Sequence, residues 1–315
     1  MENLVIIGTG PAGLSAAIYA ARAELSPIVL RGDQPGGQVT ITDVLDNYPG
    51  FPEGISGFEL FQAMEKQAQR FGAKLVNDTA VSVDFKNQSL KIQGRDQLYE
   101  AKTVIIATGS NPRKLNVPGE EEYVGRGVSY CATCDGFFFR DKKVIVVGGG
   151  DSAVDESLFL ARFASSVTIV HRRDRLRANQ HLQARANANE KMHFIWDSVV
   201  EEILGKEVGG VNSVRLKNVK TGKEQIVETD GVFVFIGHIP NTQIFQGQIG
   251  LDESNIIITD ARQRTNVPAV FAAGDVQDSI YRQAITSAGA GAMAAMEAEK
   301  YLAELSGTAY PGKME

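Results

Sequence analysis

The sequence predicts an α/β fold, because the same three-part unit occurs at two places along the chain. In each unit a short apolar run, of the kind found in buried parallel strands, leads into a glycine-rich turn, and the turn leads into a helix. The units begin at Leu4 and at Lys143. A glycine turn that leaves a strand and opens a helix has the arrangement that dinucleotide binding requires. The chain is therefore expected to contain two nucleotide-binding domains.

The first unit consists of strand Leu4–Ile7, the turn Gly8-Thr9-Gly10-Pro11-Ala12-Gly13 and a helix from Leu14 to Arg22. Gly8 permits the tight turn, Gly10 lets the backbone approach a pyrophosphate, and Gly13 allows the helix to pack closely on the strand. The helix N-terminus then offers unpaired N–H groups to phosphates.

The next strand, Pro27–Leu30, ends at Arg31-Gly32-Asp33 instead of the acidic residue that usually holds a ribose. Two turn-rich segments follow, at 33–38 and 46–50, and they suit either surface loops or ligand-binding loops. A further buried strand, 103–109, ends in the small residues Ala107, Thr108 and Gly109, which would leave room for a flat cofactor.

The second unit consists of strand Lys143–Val147, the turn Gly148-Gly149-Gly150-Asp151-Ser152-Ala153 and a helix over 152–164. Gly148, Gly150 and Ala153 occupy the G-x-G-x-x-A positions. About twenty residues further on, after strand Val167–Val170, comes His171-Arg172-Arg173-Asp174-Arg175-Leu176-Arg177. Arginines at this place suit the 2′-phosphate of NADP, whereas an acidic residue would favour NAD. A solvated basic turn is the alternative.

Cys131 and Cys134 are the only cysteines of the chain, and they are separated by two residues. In such pairs the pKa of one thiol is commonly depressed from about 8.5 toward 7, and the thiolate is the reactive form. Asp135 follows directly and could return a proton to a leaving thiolate. The pair is interpreted as redox-active.

Three other interpretations of the pair were weighed. A zinc site needs about four ligands, and the nearest histidine, His171, lies beyond a helix. A structural disulfide across so short a span would constrain little chain. Unreactive core thiols remain possible from the pair alone.

The rest of the chain predicts a second, weaker set of elements. We expect a helix at 58–72, strands within 74–93 with a turn near Lys86-Asn87, a hairpin over 211–227, a strand at 232–236, a strand at 269–273 and a long helix ending near Leu305. Asp275, at the end of the strand at 269–273, could hold a ribitol hydroxyl. Pro and Asn turns near 112–119 and 240–241 are expected to mark domain boundaries.

Composition and charge exclude several classes. The chain has 315 residues, of which 43% are hydrophobic and 22% charged, as in ordinary globular proteins. Its net charge of −6 gives no overall attraction to nucleic acid. No apolar run has the eighteen or so residues of a membrane span. Because the N-terminus shows no leader pattern, a cytoplasmic location is expected, where a lone Cys-x-x-Cys is more often catalytic or metal-binding than structural.

Taken together, the motifs resemble those of the bacterial low-molecular-weight thioredoxin reductases over nearly the full length. The likeness is carried by both glycine turns, by Gly36-Gly37-Gln38, by Cys131–Gly136, by His171–Ala178 and by Phe271–Ala284. The resemblance implies two Rossmann-like three-layer nucleotide-binding domains, the second inserted into the first. Residues 1–116 and 244–315 would bind FAD, and 117–243 would bind NADPH and carry the cysteines. It also implies a homodimer whose protein substrate is thioredoxin.

By position, the resemblance assigns Cys134 as the thiol nearest the flavin, Cys131 as the thiol that attacks thioredoxin, and Asp135 as the acid–base residue. The residues expected to contact the cofactors are Gly8, Gly10, Pro11, Ala12, Gly13, Arg31, Gly32, Asp33, Gln34, Pro35, Gly36, Gly37, Gln38, Asn47, Ala107, Thr108, Gly109, Gly148, Gly150, Asp151, Ser152, Ala153, His171, Arg172, Arg173, Arg177, Gly274, Asp275, Val276, Gln277, Asp278, Ser279, Ile280, Tyr281, Arg282, Gln283 and Ala284. Leu176 stands where the family often has an aromatic residue.

Three rival functions were considered. A ferredoxin or flavodoxin reductase on the same fold has no use for the cysteines. The flavoprotein half of a peroxide reductase would carry an additional N-terminal thioredoxin-like domain, and none is expected here because the first strand begins at Leu4. A nucleotide-binding redox sensor would show slow single turnover, whereas an enzyme would sustain NADPH oxidation.

Overall fold

The structure is a computed structural model that describes residues 1–42, 44–86, 89–206 and 208–308. The chain forms two compact units, one made of Met1–Asn111 with the chain from Ile239 onward, the other of Pro112–His238. The chain passes from the first unit to the second at the expected Asn111-Pro112 turn, and it returns after His238, just before the expected Pro240-Asn241 turn. The second unit is inserted within the sequence of the first.

The first unit is built on a mixed sheet with strand order β3-β2-β1-β6-β5-β4, and β17 also pairs with β6. The parallel part matches the predicted buried strands, and β6 is long enough to pair with β5 through its first half and with β17 through its second. The strands are β1 Glu2–Ile7, β2 Ile28–Leu30, β3 Lys74–Val76, β4 Ala80–Asp84, β5 Leu90–Gly94, β6 Leu98–Ile106, β7 Ser110–Pro112, β16 His238–Pro240 and β17 Val270–Ala272. Separately, β7 and β16 form a two-stranded sheet.

Alternation along β1 places successive residues on opposite faces of this sheet. Leu4 and Ile6 pack against helices, whereas Val5 and Ile7 join the cluster that contains the antiparallel strands. The helices are α1 Pro11–Arg22, α2 Gly57–Arg70 and α6 Ala284–Leu305, and short 3₁₀ turns cover Gly37–Ile41 and Gln243–Phe245. The first unit therefore has three layers.

The second unit contains a parallel sheet with strand order β11-β10-β9-β15-β8 and an antiparallel sheet β12-β13-β14. In β9, Val144 and Val146 face the helices, while Ile145 and Val147 face the antiparallel sheet. The elements are β8 Val128–Ser129, α3 Ala132–Asp135, β9 Lys143–Gly148, α4 Asp151–Leu160, β10 Ser166–Val170, α5 Gln180–Asn187, β11 Met192–Ile195, β12 Ser198–Lys206, β13 Gly210–Asn218, β14 Glu224–Glu228 and β15 Gly231–Phe235, with a 3₁₀ turn at Gly136–Phe139.

The α/β class and the two nucleotide-binding folds expected from the sequence are confirmed, but some details differ. The helix expected over 152–164 ends at Leu160, because the chain turns there to enter β10, and Phe163 and Ala164 both donate backbone hydrogen bonds to the Leu160 carbonyl. Three elements, α5, β11 and β12, were not predicted from the sequence. The expected turn at Lys86-Asn87 falls partly outside the described residues, since Asn87 is not among them. Within the described ranges, no helix has both the length and the apolar character needed to cross a bilayer.

Helices α1 and α6 approach each other through small residues. Ala12, Ala16 and Ala20 of α1 are buried with Ala290 and Ala294 of α6. A Cβ atom on Gly291 would lie 2.0 Å from the carbonyl oxygen of Ala12. Because the obstructing atom belongs to the backbone, it cannot move aside without separating the helices.

We therefore expect Gly291→Ala to lower the free energy of unfolding by about 1–3 kcal/mol, as overpacking does in well-packed cores. Gly289→Ala, in the same helix, meets no atom within 4 Å and should instead stabilise by about 0.5–1 kcal/mol. Urea unfolding of both variants measures this difference. Equal midpoints for the two variants would contradict the close approach of the helices.

Candidate active site

The structure joins Cys131 and Cys134 as a disulfide, with their Cα atoms 5.3 Å apart. Cys131 is the N-cap of the single turn α3, and its Sγ accepts a hydrogen bond from the Cys134 N–H at 3.2 Å. Both cysteines are half-buried, so the sulfur pair is held on the surface of the second unit. Asp135 is half-buried and donates its backbone N–H to the Cys131 carbonyl at 3.2 Å. The described residues contain no cluster of three or more potential metal ligands.

The backbone just before the disulfide is fixed by two buried polar groups. Ser129 Oγ accepts a hydrogen bond from the Cys131 N–H at 3.1 Å. Tyr130 donates its hydroxyl to Glu120 at 3.0 Å, and Glu120, only 1% exposed, also accepts from the N–H groups of Leu115 and Asn116. Burial, and then the Glu120 charge, raise the pKa of Tyr130, so its hydroxyl stays protonated and keeps donating.

An exposed aromatic patch follows the disulfide directly. Phe137 and Phe138 are 58% and 46% exposed, whereas Phe139 is buried against Phe233. The Phe137 ring meets Phe163 edge-on, and the Arg140 guanidinium lies over the Phe137 ring at 5.2 Å. Large apolar side chains exposed beside a reactive group commonly mark a docking surface for another protein.

The second glycine turn leads from β9 into α4, and the basic segment folds back onto it. The N–H groups of Arg177 and Ala178 both donate to the Gly149 carbonyl, at 2.7 and 3.1 Å. His171 is buried against the turn, so that a Cβ on Gly149 would lie 2.4 Å from its Nδ1. A Cβ on Gly150 would meet only Arg177, at 3.7 Å. The turn therefore has open space on the side where Arg177 lies.

Arg172, Arg173 and Arg177 are exposed, and within the described parts of the chain no carboxylate pairs with any of them. Asp174, in the same segment, pairs with Lys220. Burial, and then the charge of Arg177, lower the pKa of His171, so this imidazole is neutral near pH 7. Leu176 is buried among the helix-side core residues, which shows how the segment packs without an aromatic residue.

In the first unit, the first glycine turn is packed as tightly as its sequence predicts. A Cβ on Gly8 would lie 2.4 Å from the Ala107 carbonyl oxygen, and one on Gly13 would lie 2.0 Å from that of Gly8. Gly10, in contrast, faces open space, since a Cβ there would meet only the Gly36 carbonyl at 3.8 Å. The open position is the one expected to face a pyrophosphate.

The loop at 31–38 lies against this turn, because Thr9 Oγ accepts from the Gly36 N–H and donates to the Arg31 carbonyl, both at 3.2 Å. The Arg31 side chain forms an ion pair with Glu65. Asp33 pairs with Arg95 and accepts from Thr79 at 2.9 Å. Both side chains are thus engaged with protein partners.

The segment before α6 brings further expected residues together. Asp275 is largely buried and accepts a hydrogen bond from Ser287 Oγ at 3.0 Å, and burial raises its pKa. Asp278 accepts from the N–H groups of residues 280–282 and shapes the turn. Asn47 Nδ2 donates to Gln283 Oε1 at 3.3 Å, which joins the second predicted loop to the N-cap of α6.

Comparison with known proteins decides the family. The family model for pyridine nucleotide-disulphide oxidoreductases matches residues 2–292. The chain belongs to this family. It is similar to the thioredoxin reductase of Rickettsia bellii, with 55% identity over 303 residues that cover 95% of this chain and 98% of that protein. It is also similar to the thioredoxin reductase of Streptomyces coelicolor, with 49% identity over 309 residues, covering 97% and 95%.

A solved structure agrees with the family assignment. The thioredoxin reductase from Streptococcus pyogenes MGAS5005 superposes with a TM-score of 0.92 at 46% identity, covering 96% of this chain and 99% of that one. Membership of the pyridine nucleotide-disulphide oxidoreductases implies a flavin and a pyridine nucleotide.

The residues present fit both groups that the family implies. The open position at Gly10 and the buried carboxyl of Asp275 offer a phosphate cradle and a hydroxyl acceptor within the first unit. Within the second unit, the open turn at Gly150 and three guanidinium groups offer space and N–H donors for a phosphorylated nucleotide; no carboxylate of the described residues pairs with these groups. Sequence reasoning found Gly10 and Gly150 through the glycine patterns, Asp275 through its place at the end of a strand, and the arginines through their place about twenty residues after the second glycine turn. It missed Glu120 and Tyr130, which belong to no motif.

Proposed function

We propose that the chain is an NADPH-dependent, FAD-containing thioredoxin-disulfide reductase. The observation that carries the proposal is the half-buried Cys131–Cys134 disulfide, formed by the only cysteines of a chain that also has two glycine turns of the dinucleotide-binding type. In a pyridine nucleotide-disulphide oxidoreductase such a pair has a source of electrons within the same chain, and it needs an acceptor outside it.

The cofactors link two-electron hydride chemistry to thiol exchange, because a flavin accepts a hydride from NADPH and passes two electrons to a disulfide. Reduction breaks the Cys131–Cys134 bond and leaves a thiol on each sulfur. The Cys131 thiolate then attacks the thioredoxin disulfide, which forms a mixed disulfide and releases one thioredoxin thiol. The Cys134 thiolate attacks the Cys131 sulfur, which restores the Cys131–Cys134 bond and expels thioredoxin as a dithiol. Asp135, next to Cys134, moves the protons that these steps release and consume.

The two cofactors are assigned to separate domains. Residues 1–116 and 244–315 would bind FAD through the Gly8–Gly13 turn, the loops that carry Gly36 and Asn47, and Asp275. Residues 117–243 would bind NADPH, with Arg172, Arg173 and Arg177 on its 2′-phosphate. Support for NADPH over NADH comes from the three exposed guanidinium groups without carboxylate partners in the described chain, since guanidinium–phosphate bonds are charge-assisted and bidentate.

Two surfaces support the proposed protein partners. Phe137 and Phe138, exposed next to the disulfide, suit the docking of thioredoxin. On α6, Ile285, Met293 and Met296 are 42%, 44% and 50% exposed and share one helix face by their spacing, which suits a homodimer contact. We place the enzyme in the cytoplasm, where its thiols would work in a reducing environment.

The role of Cys134 is tested by Cys134→Ser. This variant should bind FAD and let NADPH bleach the flavin, yet thioredoxin reduction should be lost. A lone Cys131 can form a mixed disulfide, but no second thiol remains to attack its sulfur and expel thioredoxin. Flavin absorbance and NADPH consumption with oxidised thioredoxin measure the two steps separately. Sustained turnover in this variant would refute the assigned role.

The nucleotide preference is tested by replacing Arg172, Arg173 and Arg177 together with alanine. Each lost charge-assisted bond is worth roughly 1.5–3 kcal/mol, so KM for NADPH should rise by about a hundredfold or more, while KM for NADH should change little. Arg175→Ala is the matched control, since Arg175 is exposed in the same segment but is not assigned to the phosphate. Equal effects on both nucleotides would place the 2′-phosphate elsewhere.

Docking of thioredoxin is tested by Phe137→Ala combined with Phe138→Ala. Loss of two exposed anchors of about 1–2 kcal/mol each should raise KM for thioredoxin at least tenfold. The number of thiols produced by NADPH alone should not change. Ile226→Ala, which removes a 66% exposed side chain from β14 of the same unit, should leave KM near the wild-type value. An unchanged KM in the double variant would show that thioredoxin docks elsewhere.

A further inference from the structure

A lysine on the turn between β13 and β14 engages the acidic residue of the basic segment at 171–177. Asp174 is the only carboxylate in this segment, which otherwise carries four arginines. Its Oδ2 forms an ion pair with Lys220 Nζ at 3.6 Å. The same Nζ lies 2.9 Å from Oδ2 of Asp197, which stands between β11 and β12. One ammonium group therefore bridges two carboxylates beside the segment that is proposed to bind a 2′-phosphate.

The backbone of the turn that carries Lys220 has a defined shape. Asn218 Oδ1 accepts hydrogen bonds from the N–H groups of Lys220 and Thr221, both at 3.0 Å. The Gly222 N–H donates to the Asn218 carbonyl at 2.8 Å, and Gly222 has a φ of 72°, in the left-handed region that glycine adopts readily. The position of Lys220 in the hairpin is therefore set by its own turn.

Backbone hydrogen bonds join this turn to the basic segment through Asp197. The Asp197 N–H donates to the Arg173 carbonyl at 3.2 Å, and the Asp197 carbonyl accepts from the Val219 N–H at 2.6 Å. Beside them, the Ser198 N–H donates to the His171 carbonyl at 3.0 Å. Lys220 and the arginines thus belong to one connected part of the second unit.

Asp174 is the group in this segment that would oppose the binding of a phosphate. Its carboxylate repels a phosphate, and it can also pair with neighbouring guanidinium groups, which use the same N–H donors for carboxylates and phosphates. Among the described residues, no carboxylate pairs with Arg172, Arg173 or Arg177, and the cation that pairs with Asp174 is Lys220. The ion pair with Lys220 therefore keeps the guanidinium donors available.

We propose that Lys220 is a positioning residue that sets nucleotide specificity, because it engages Asp174 and so keeps this carboxylate from the arginines that bind the 2′-phosphate. The inference rests on the proposed function, which assigns that phosphate to Arg172, Arg173 and Arg177. Lys220 acts through Asp174, so its effect depends on the charge of Asp174. A nucleotide without the 2′-phosphate does not need these arginines and should not depend on Lys220.

A purely structural role for the ion pair makes a different prediction. If the pair only fixes the segment, removal of either partner breaks the same contact, and Lys220→Met and Asp174→Asn should weaken binding equally. If Lys220 acts by engaging the Asp174 charge, Lys220→Met alone should weaken binding, and Asp174→Asn added to it should restore binding. The double-mutant cycle separates the two roles.

The experiment measures, by titration calorimetry, the binding of adenosine 2′,5′-bisphosphate and of 5′-AMP to the purified full-length protein with its bound flavin. We expect Lys220→Met to raise the Kd of the bisphosphate about fivefold, equivalent to ~1 kcal/mol, because Asp174 would then compete for an exposed guanidinium group. The Kd of 5′-AMP should stay within about twofold. For the bisphosphate, Asp174→Asn should not raise the Kd, and the double variant should lie within about twofold of wild type.

Lys223→Met is the matched control for loss of a positive charge. Lys223 is exposed on the same turn, and no described carboxylate pairs with it. Its variant should bind the bisphosphate within about twofold of wild type, since exposed charges that form no pair contribute little. Equal weakening by Lys220→Met and Lys223→Met would overturn the proposal, because the effect would then be a general loss of charge.

Three further results would overturn the proposal. They are a Lys220→Met variant that binds the bisphosphate like wild type, an Asp174→Asn variant as weak as Lys220→Met, and a double variant that is not restored. The wild-type protein tests the proposed function separately. No preference for the bisphosphate over 5′-AMP would refute the assigned nucleotide and this inference with it. A clear preference that Lys220→Met leaves unchanged would refute this inference alone.

Discussion

The redox site depends on the hydrogen bonding of three backbone amides in the cysteine segment. Cys131 donates to Ser129 Oγ, Cys134 donates to Cys131 Sγ, and Asp135 donates to the Cys131 carbonyl. A disulfide that opens and closes repeatedly must return to the same geometry, and an exposed segment can do so only if its backbone remains fixed when the sulfur bond breaks. These partners supply that fixed frame without using the sulfur–sulfur bond.

Helix α4 serves two purposes in the second unit. Its N-terminus follows the glycine turn against which His171 and Arg177 lie. Its Val154 and Leu160 side chains are buried in the same cluster as Ala132, which lies between the cysteines. The close packing of this turn on His171 requires a glycine, since a Cβ on Gly149 would displace the His171 ring. In the first unit, Gly291 likewise allows a close approach, here between helices α6 and α1. In both units the glycine turn approaches neighbouring backbone closely. Polar side chains such as Asp275 and Arg177 belong to segments outside the turn.

Patterns within short stretches of the sequence predicted the strands and the glycine turns of the site. The strands β1 and β9 and both glycine turns follow from apolar runs and from positions that only glycine can occupy, and all are signalled within about ten residues. The strand β12 was missed because Glu201 and Glu202 interrupt its apolar alternation at a bulge. The partners of Tyr130 and Arg31 were missed, because Tyr130 pairs with Glu120 and Arg31 with Glu65 at sequence separations that no periodicity reports. Such pairs are visible only after the chain has folded.

The proposed function requires that electrons pass from a nicotinamide through a flavin to the Cys131–Cys134 pair, and from there to thioredoxin. The most direct measurement is the consumption of NADPH by purified protein, followed with oxidised thioredoxin present and absent. We expect consumption that continues only while oxidised thioredoxin remains, with one thioredoxin disulfide reduced for each NADPH. Consumption that ignores thioredoxin, or protein that cannot take up a flavin, would contradict it.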